Sequence, residues 1–269
     1  MDEKGNLQGI RILGVLARIA LCYLFAAIII YYLKPAQVFF TGLLMLLIYW
    51  ALCLLFGDAQ DPYSMTGWFG NKVDFAVLGV AHMYKGEGIP FDPEGIMSTL
   101  PSIVNVIFGF FAGDYIQKKG KNHEMLNGLF VAGVAMVITG LCWNMVFPIN
   151  KKIWTSSFTI TTSGLATITI ATMIYLIEFK NARGWLSRFF EVFGKNALFV
   201  FALSAFLPKG LSLIKFKDGS NPWSWLYQNG FRHLPGDPRL GSLFYALTVI
   251  TFMWAICYWL DKKKIYIKV

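Results

Sequence analysis

Charged side chains are scarce in this sequence. Asp, Glu, Lys and Arg make up 14% of the 269 residues, whereas hydrophobic residues make up 56%. An average soluble domain has roughly 25% charged residues, so this chain has too few charges to cover a soluble surface. The composition therefore excludes a soluble globular enzyme, a disordered chain and a nucleic-acid-binding module. It predicts an integral membrane protein, whose first partner is the lipid bilayer.

Histidine and cysteine are also rare. The three histidines lie far apart at His82, His123 and His233, and the four cysteines lie inside apolar stretches without a C-x-x-C pair. Metal sites and disulfide frameworks need closely spaced or regularly spaced ligands, so we expect neither here. Motifs of soluble nucleotide-binding proteins, zinc proteases and serine hydrolases are absent as well.

Long apolar runs dominate what is present. A helix needs about 20 apolar residues to cross the hydrocarbon core, and seven runs meet this length: 12–33, 37–56, 98–116, 125–147, 156–178, 189–207 and 241–260. A shorter run, 73–84, predicts an interfacial or re-entrant helix. No repeat or flexible linker separates the runs. We therefore predict an all-α, polytopic transmembrane helix bundle that forms a single transmembrane domain over residues 1–269.

Basic residues in the loops predict the orientation of the bundle. Each side carries eleven Lys and Arg residues, but seven of those opposite the C-terminus lie in the two long connections, 57–100 and 208–240. The positive-inside rule gives most weight to short loops. We therefore expect a cytoplasmic C-terminus and an N-terminus on the outer side.

Two polar residues within the apolar runs are candidates for lining a channel. Arg18 lies six residues into the first run, and Asn196 lies in the sixth. A cation inside a membrane must pair, reach the interface or line a wet cavity. The alternative for the polar residues is hydrogen bonding between packed helices.

Two sequence patterns on the outer side are candidates for a binding site. In FDPEG (91–95), Asp92 and Glu94 either cap a helix or orient a substrate that carries hydroxyl or amino groups. The pattern FPINKKIWTSS (147–157) is either an interfacial anchor or a sugar site, since the C–H face of a sugar ring stacks on an indole. Its candidate binding residues are Asn150, Lys151, Trp154 and Thr155.

Four stretches together resemble one membrane family. They are RILGVLARIALCYL, FDPEGIMSTLPSIVNVIFGFFAGDY, FPINKKIWTSSFTITTSGLA and FFEVFGKNALFVF, and they are similar to the heparan-alpha-glucosaminide N-acetyltransferase family and its bacterial relatives. The resemblance implies an inner-membrane protein that transfers an acetyl group from cytoplasmic acetyl-CoA to an amino sugar or glycan on the outer face. It places six residues as substrate-binding and Asn196 inside the bundle; the six are Asp92, Glu94, Asn150, Lys151, Trp154 and Thr155.

The chain departs from the family pattern in one respect. Family members have additional N-terminal spans that contain a D-x-x-R-G motif and the catalytic histidine, and neither motif occurs in these residues. The resemblance thus covers the C-terminal two-thirds of the family fold and leaves the catalytic residue unknown. We expect the chain alone to be inactive, with a separate chain as a possible source of the missing spans. The alternatives are an N-acetylglucosamine or related sugar transporter and a non-catalytic membrane remnant.

Overall fold

The computed structural model describes residue 9 and residues 11–216, 219–234 and 237–267. The described residues contain helices and loops and no strand. Their contacts group into two compact units, Met1–Tyr175 and Leu176–Val269. The organisation of the chain as one domain stays a prediction.

Among its described residues, the first unit has five long helices and one short helix. The long helices are α1 (Val15–Tyr32), α2 (Pro35–Phe56), α4 (Ile96–Lys119), α5 (His123–Trp143) and α6 (Ser156–Ile174). The short helix is α3 (Gly70–Val77), and a 3-10 turn over Val80–His82 follows it. α3 and this turn are the short helical element predicted within 73–84.

The part of the second unit that the structure describes has four further helices. They are α7 (Trp185–Lys195), α8 (Ala197–Ser212), α9 (Pro222–Leu226) and α10 (Pro238–Lys262), and π-helical turns cover Tyr175–Phe179 and Tyr227–Phe231. Asp261, at the end of α10, receives hydrogen bonds from Lys195 at 3.0 Å and Arg188 at 3.3 Å. These bonds join α7 to the C-terminal end of α10.

The helices confirm the predicted multi-pass, all-helical architecture. Six of them are long and apolar enough to cross a membrane, and the pair formed by α7 and α8 is a seventh if it counts as one span. This pair differs from the predicted run 189–207, because it bends by 76° between α7 and α8. α7 alternates apolar and polar faces, so it is not the uniformly apolar segment that the run suggested. The orientation of the bundle stays a prediction.

α4 forms the centre of the first unit and packs against α1, α2 and α6. It begins at Ile96, which is five residues before Pro101 and earlier than the apolar run suggested. The hydroxyls of Ser98 and Thr99 each donate to the carbonyl of Gly95 at 3.0 Å. These bonds satisfy one of the main-chain acceptors at the start of the helix.

α5 and α6 pack closely through glycine. A Cβ atom added at Gly164 would lie 2.7 Å from the carbonyl oxygen of Gly133. A Cβ atom at Gly140 would lie 2.1 Å from the hydroxyl oxygen of Thr161. Small residues allow such close contact of membrane helices, so these glycines set the distance between α5 and α6.

A cluster of buried aromatic residues anchors the loops at one end of the first unit. Tyr49, Trp68, Phe91 and Phe147 are almost fully buried and pack in one cluster. The hydroxyl of Tyr49 donates to the carbonyl of Ile153. The cluster therefore fixes the connections before α4 and α6, which carry the sequence patterns FDPEG and FPINKKIWTSS.

Candidate functional site

The candidate site lies at the end of the first unit where α1, α4 and α6 begin. Helix N-termini carry a partial positive charge, and carboxylates are stabilised near them. Asp92 and Glu94 lie just before α4, and Asp74 of α3 accepts a hydrogen bond from the first amide of α4, that of Ile96, at 2.9 Å. The acidic residues therefore gather where the helix dipoles favour them.

Asp92 is the fully buried anchor of this region. Its carboxylate accepts from Arg11 Nε at 3.0 Å, from Arg11 Nη2, from the Tyr84 amide at 3.2 Å and from the Glu94 amide at 3.0 Å. A carboxylate has about four lone-pair sites, so these four donors saturate it. Asp92 thus shapes the turn before α4 and offers no vacant acceptor to a ligand.

Arg11 and Glu94 form the accessible charged part of the site. Arg11 donates to Glu94 and lies 4.6 Å from the centroid of the Tyr84 ring. The side chains of Arg11 and Glu94 keep 30% and 19% of their surface exposed. Burial lowers the pKa of Arg11, but the hydrogen bonds to Asp92 and Glu94 outweigh it and raise this pKa overall. The guanidinium therefore stays charged.

Arg18 connects the turn before α4 to Trp154. Its Nη1 donates to the Pro93 carbonyl at 2.8 Å, and its guanidinium carbon lies 3.9 Å from the centroid of the Trp154 ring. The Trp154 indole in turn donates to Asn105 Oδ1 at 2.9 Å, and Asn105 Nδ2 donates to Ser163 Oγ at 2.8 Å. The buried arginine is therefore paired, as an intramembrane cation must be.

Trp154 has a left-handed backbone conformation with a φ of 54°. Such a conformation costs a non-glycine residue about 1–3 kcal/mol and persists when the surroundings hold it. Arg18 and Asn105 provide such contacts, and the Phe158 ring meets the indole edge-on at 5.0 Å. Strain of this kind is common at functional sites, which makes Trp154 a candidate for contact with a ligand.

The chain of polar groups continues into a cavity between α4 and α6. The cavity has a volume of about 420 Å³ and extends from Asn105 and Ser163 to Ile116 and Ile170. Eleven helical residues separate Asn105 from Ile116, which corresponds to roughly 16 Å along α4. A second cavity, of about 530 Å³, is lined by side chains of α2, α4, α5 and α6. Polar contacts and the first cavity together follow most of the length of α4.

The other residues of the second pattern shape the turn that carries Trp154. Thr155 caps α6 by accepting the Phe158 amide at 3.3 Å, and it also accepts the Asn150 amide at 3.0 Å. Asn150 Nδ2 donates to the Tyr63 carbonyl at 3.0 Å. Lys151 is exposed on the same turn. Of the four candidates in this pattern, Trp154 is the one that the structure connects to Arg18.

Asn196 lies in the second unit, apart from the residues described above along the chain. Its side chain is buried, with Nδ2 donating to the Ile265 carbonyl at 3.2 Å and Oδ1 accepting the Ile267 amide at 2.9 Å. It therefore fixes the segment after α10 to the junction between α7 and α8. Its role in lining a channel stays a prediction.

Sequence reasoning missed Arg11, Tyr84 and Asp74 as parts of this region. Asp74 is buried, and its Oδ2 has no hydrogen-bond partner among the described residues. Burial raises the pKa of Asp74 to about 6. A carboxylate within the apolar run 73–84 was the available signal for Asp74. For Arg11, the signal was its position seven residues before Arg18.

Comparison with known proteins supports the resemblance stated above. The heparan-alpha-glucosaminide N-acetyltransferases of Mus musculus and Homo sapiens are 26% and 25% identical to this chain over 160 residues. The aligned residues are 54% of this chain and 24% of each relative, so the match spans about a quarter of the length of the curated relatives. No protein-family model matches the chain. The chain is thus distantly similar to these membrane proteins.

Proposed function

We propose that this chain is part of an acyltransferase of the bacterial inner membrane. It would carry an acetyl group from cytoplasmic acetyl-CoA to an amino sugar on the outer face. The observation that carries the proposal is the line of polar contacts from Arg11 and Glu94 through Arg18, Trp154 and Asn105 to the cavity along α4. The names of the two relatives agree with this reaction.

The acceptor would bind at the end of the bundle formed by Arg11, Glu94 and Trp154. Glu94 is the accessible carboxylate, so it would accept hydrogen bonds from the amine or a hydroxyl of the sugar. Arg18 and Phe158 both contact the Trp154 indole, so a sugar ring would stack on the part of the indole that these two residues leave uncovered. Lys151 lies on the same turn and would contact a longer glycan.

The donor would occupy the cavity between α4 and α6. Gly109, Gly113 and Ala166 line it as small residues that leave room for a ligand, and Thr162 and Ser163 also line its wall. An extended pantetheine arm has apolar methylene groups and two amides, so it fits a narrow slot with hydroxyls on one side. The acetyl thioester would then point toward Asn105 and Trp154.

The proposed reaction exchanges one carbon–sulfur bond for one carbon–nitrogen bond. The neutral amine attacks the thioester carbonyl carbon, the C–S bond breaks, and coenzyme A leaves as a thiolate. A base takes the proton that the amine loses, and the thiolate takes up a proton to give the thiol. We assign binding and orientation to the residues of this site and assign the proton transfer to none of them.

Ligand binding and turnover test the proposal separately. The purified chain in lipid nanodiscs is titrated with D-glucosamine and with coenzyme A, and both should bind. Turnover, which we expect the chain alone to lack, is followed by coenzyme A thiol release from acetyl-CoA. Glu94→Gln should weaken glucosamine binding roughly 10- to 150-fold, because one charge-assisted hydrogen bond contributes about 1.5–3 kcal/mol, and should leave coenzyme A binding unchanged. Glu87→Gln is the matched control, since Glu87 is paired with Lys152.

Sugar transport, the main alternative, predicts a different result. A transporter would accumulate labelled glucosamine in proteoliposomes without acetyl-CoA and would show no binding of coenzyme A. That outcome would contradict acetyl transfer and support sugar transport. Absence of binding for both ligands would contradict both functions and favour a non-catalytic membrane protein.

A further inference from the structure

A second surface, in the Leu176–Val269 unit, has the character of a membrane-surface helix. α7 separates its side chains into two faces, as a period of 3.6 residues requires. Trp185 is 80% exposed, and Leu186 and Phe190 are each 52% exposed. The opposite face carries the polar residues Ser187, Arg188, Glu191 and Lys195.

α7 lies against the C-terminal part of α10, which is one of the candidate spans. The Phe189 ring stacks on Trp254 at 5.6 Å, and the Trp254 indole donates to the Phe189 carbonyl at 3.2 Å. Arg188 and Lys195 reach Asp261 at the end of α10. The polar face of α7 is therefore level with the end of a span, where the hydrocarbon core meets the headgroups.

The polar side of this region is strongly basic. Residues 178–195 and 261–264 contain seven Lys and Arg residues and three carboxylates. The buried Asp261 fixes Arg188 in place, and the Arg188 side chain still keeps 58% of its surface exposed. Lys262, Lys263 and Lys264 are exposed directly after it. A positioned guanidinium beside several lysines is an arrangement that binds phosphate.

We propose that α7 lies in the plane of the membrane interface and that Arg188, with the three lysines after Asp261, binds the phosphate headgroup of an anionic phospholipid. The exposed Leu186 and Phe190 favour a lipid over a soluble phosphate, because they need acyl chains to cover them. Basic residues near an anionic leaflet attract it. Phosphatidylglycerol, which carries one negative charge, is a suitable probe.

The test measures lipid retention by the intact chain. The chain is purified in detergent and titrated with phosphatidylglycerol or phosphatidylcholine, and bound lipid is counted by native mass spectrometry. Replacing Lys262, Lys263 and Lys264 by Gln should weaken phosphatidylglycerol binding up to roughly 100-fold, since each cation near the surface contributes about fivefold. The matched control replaces three exposed lysines elsewhere by Gln: Lys85, Lys209 and Lys215.

A second variant tests the apolar contact, and a further arm tests the source of the phosphate. Leu186→Ser with Phe190→Ser should reduce retention of phosphatidylglycerol while circular dichroism stays unchanged. Inorganic phosphate at equal concentration should not displace the lipid. The proposal would be overturned if both lipids bound equally or if the control triple variant lost as much phosphatidylglycerol binding. Displacement of the lipid by inorganic phosphate would overturn it as well. None of these residues belongs to the proposed acetyl-transfer site, so the test of one proposal does not decide the other.

Discussion

Replacing Asp92 by Asn should destabilise the first unit rather than impair ligand binding selectively. Asp92 uses both carboxylate oxygens, each with two N–H donors. An asparagine keeps one oxygen and turns an NH2 group toward the donors on the other side. Two of the four hydrogen bonds are then lost, whichever way the amide points.

The size of the effect follows from these two lost bonds. A hydrogen bond to a charged group contributes about 1.5–3 kcal/mol, so two of them give an upper value of about 6 kcal/mol. Arg11 is partly exposed and can turn toward water, which reduces the loss to about 3 kcal/mol. For a unit of this size, each kcal/mol corresponds to a change in melting temperature of roughly 2–4 °C.

The assay is unfolding of the chain in mixed micelles, followed by circular dichroism during titration with a denaturing detergent. Glu94→Gln is the internal control, because Glu94 is more exposed than Asp92 and is paired with Arg11. This substitution should lower the free energy of unfolding by less than about 1 kcal/mol. Unchanged stability of Asp92→Asn, together with weakened glucosamine binding, would refute the reasoning. That result would make Asp92 a ligand-binding group and Glu94 the structural one.

Three further predictions concern the first unit. A double-mutant cycle between Arg18→Met and Trp154→Leu should give a coupling free energy of about 1–2 kcal/mol, and a value near zero would contradict the stacking. Burial raises the pKa of Asp74 to about 6 in the folded chain, from roughly 4 in the unfolded chain. The folded state therefore holds this proton more tightly, and the free energy of unfolding falls as the pH rises from about 4 to about 6. Asp74→Asn should abolish this pH dependence in unfolding measurements across the same range. Gly164→Ala should lower the free energy of unfolding by about 1–3 kcal/mol, because the added methyl group overpacks against Gly133. Gly109→Ala should not lower it, since the space around its Cβ position is open. Equal effects of the two variants in thermal unfolding would show that α5 and α6 are less closely packed.

Hydrophobicity predicted the spans well because the bilayer fixes the length of an apolar helix. The break between α7 and α8 was missed for a related reason. A count of apolar residues over 189–207 ignores their angular distribution, and in α7 the apolar residues occupy one face only. The early start of α4 was missed because Pro101 suggested a first turn, whereas Asp74 of α3 accepts the amide of Ile96 and so stabilises a start at that residue.

The ligand-binding roles of the candidate residues stay predictions, but the structure shows how the two sequence patterns come together. The two sequence patterns lie in one unit and meet through Arg18, which contacts Pro93 of the first and Trp154 of the second. The partners of Asp92 could not be predicted, because Arg11 is 81 residues away in the sequence. Asn105 joins α4 to α6, because its side chain donates to Ser163 Oγ.

Burial separates the structural polar residues of this site from those available to a ligand. Polar groups inside a bundle must first satisfy one another, because water is absent. Asp92, Asn150 and Thr155 use their side chains in this way, whereas Glu94 keeps part of its surface exposed. One cation, Arg11, pairs here with the two carboxylates of Asp92 and Glu94, so this group of three side chains keeps a net negative charge. On the proposed function, a carboxylate beside the acceptor favours the ammonium form of its amine, so a base must remove a proton before the amine attacks the thioester.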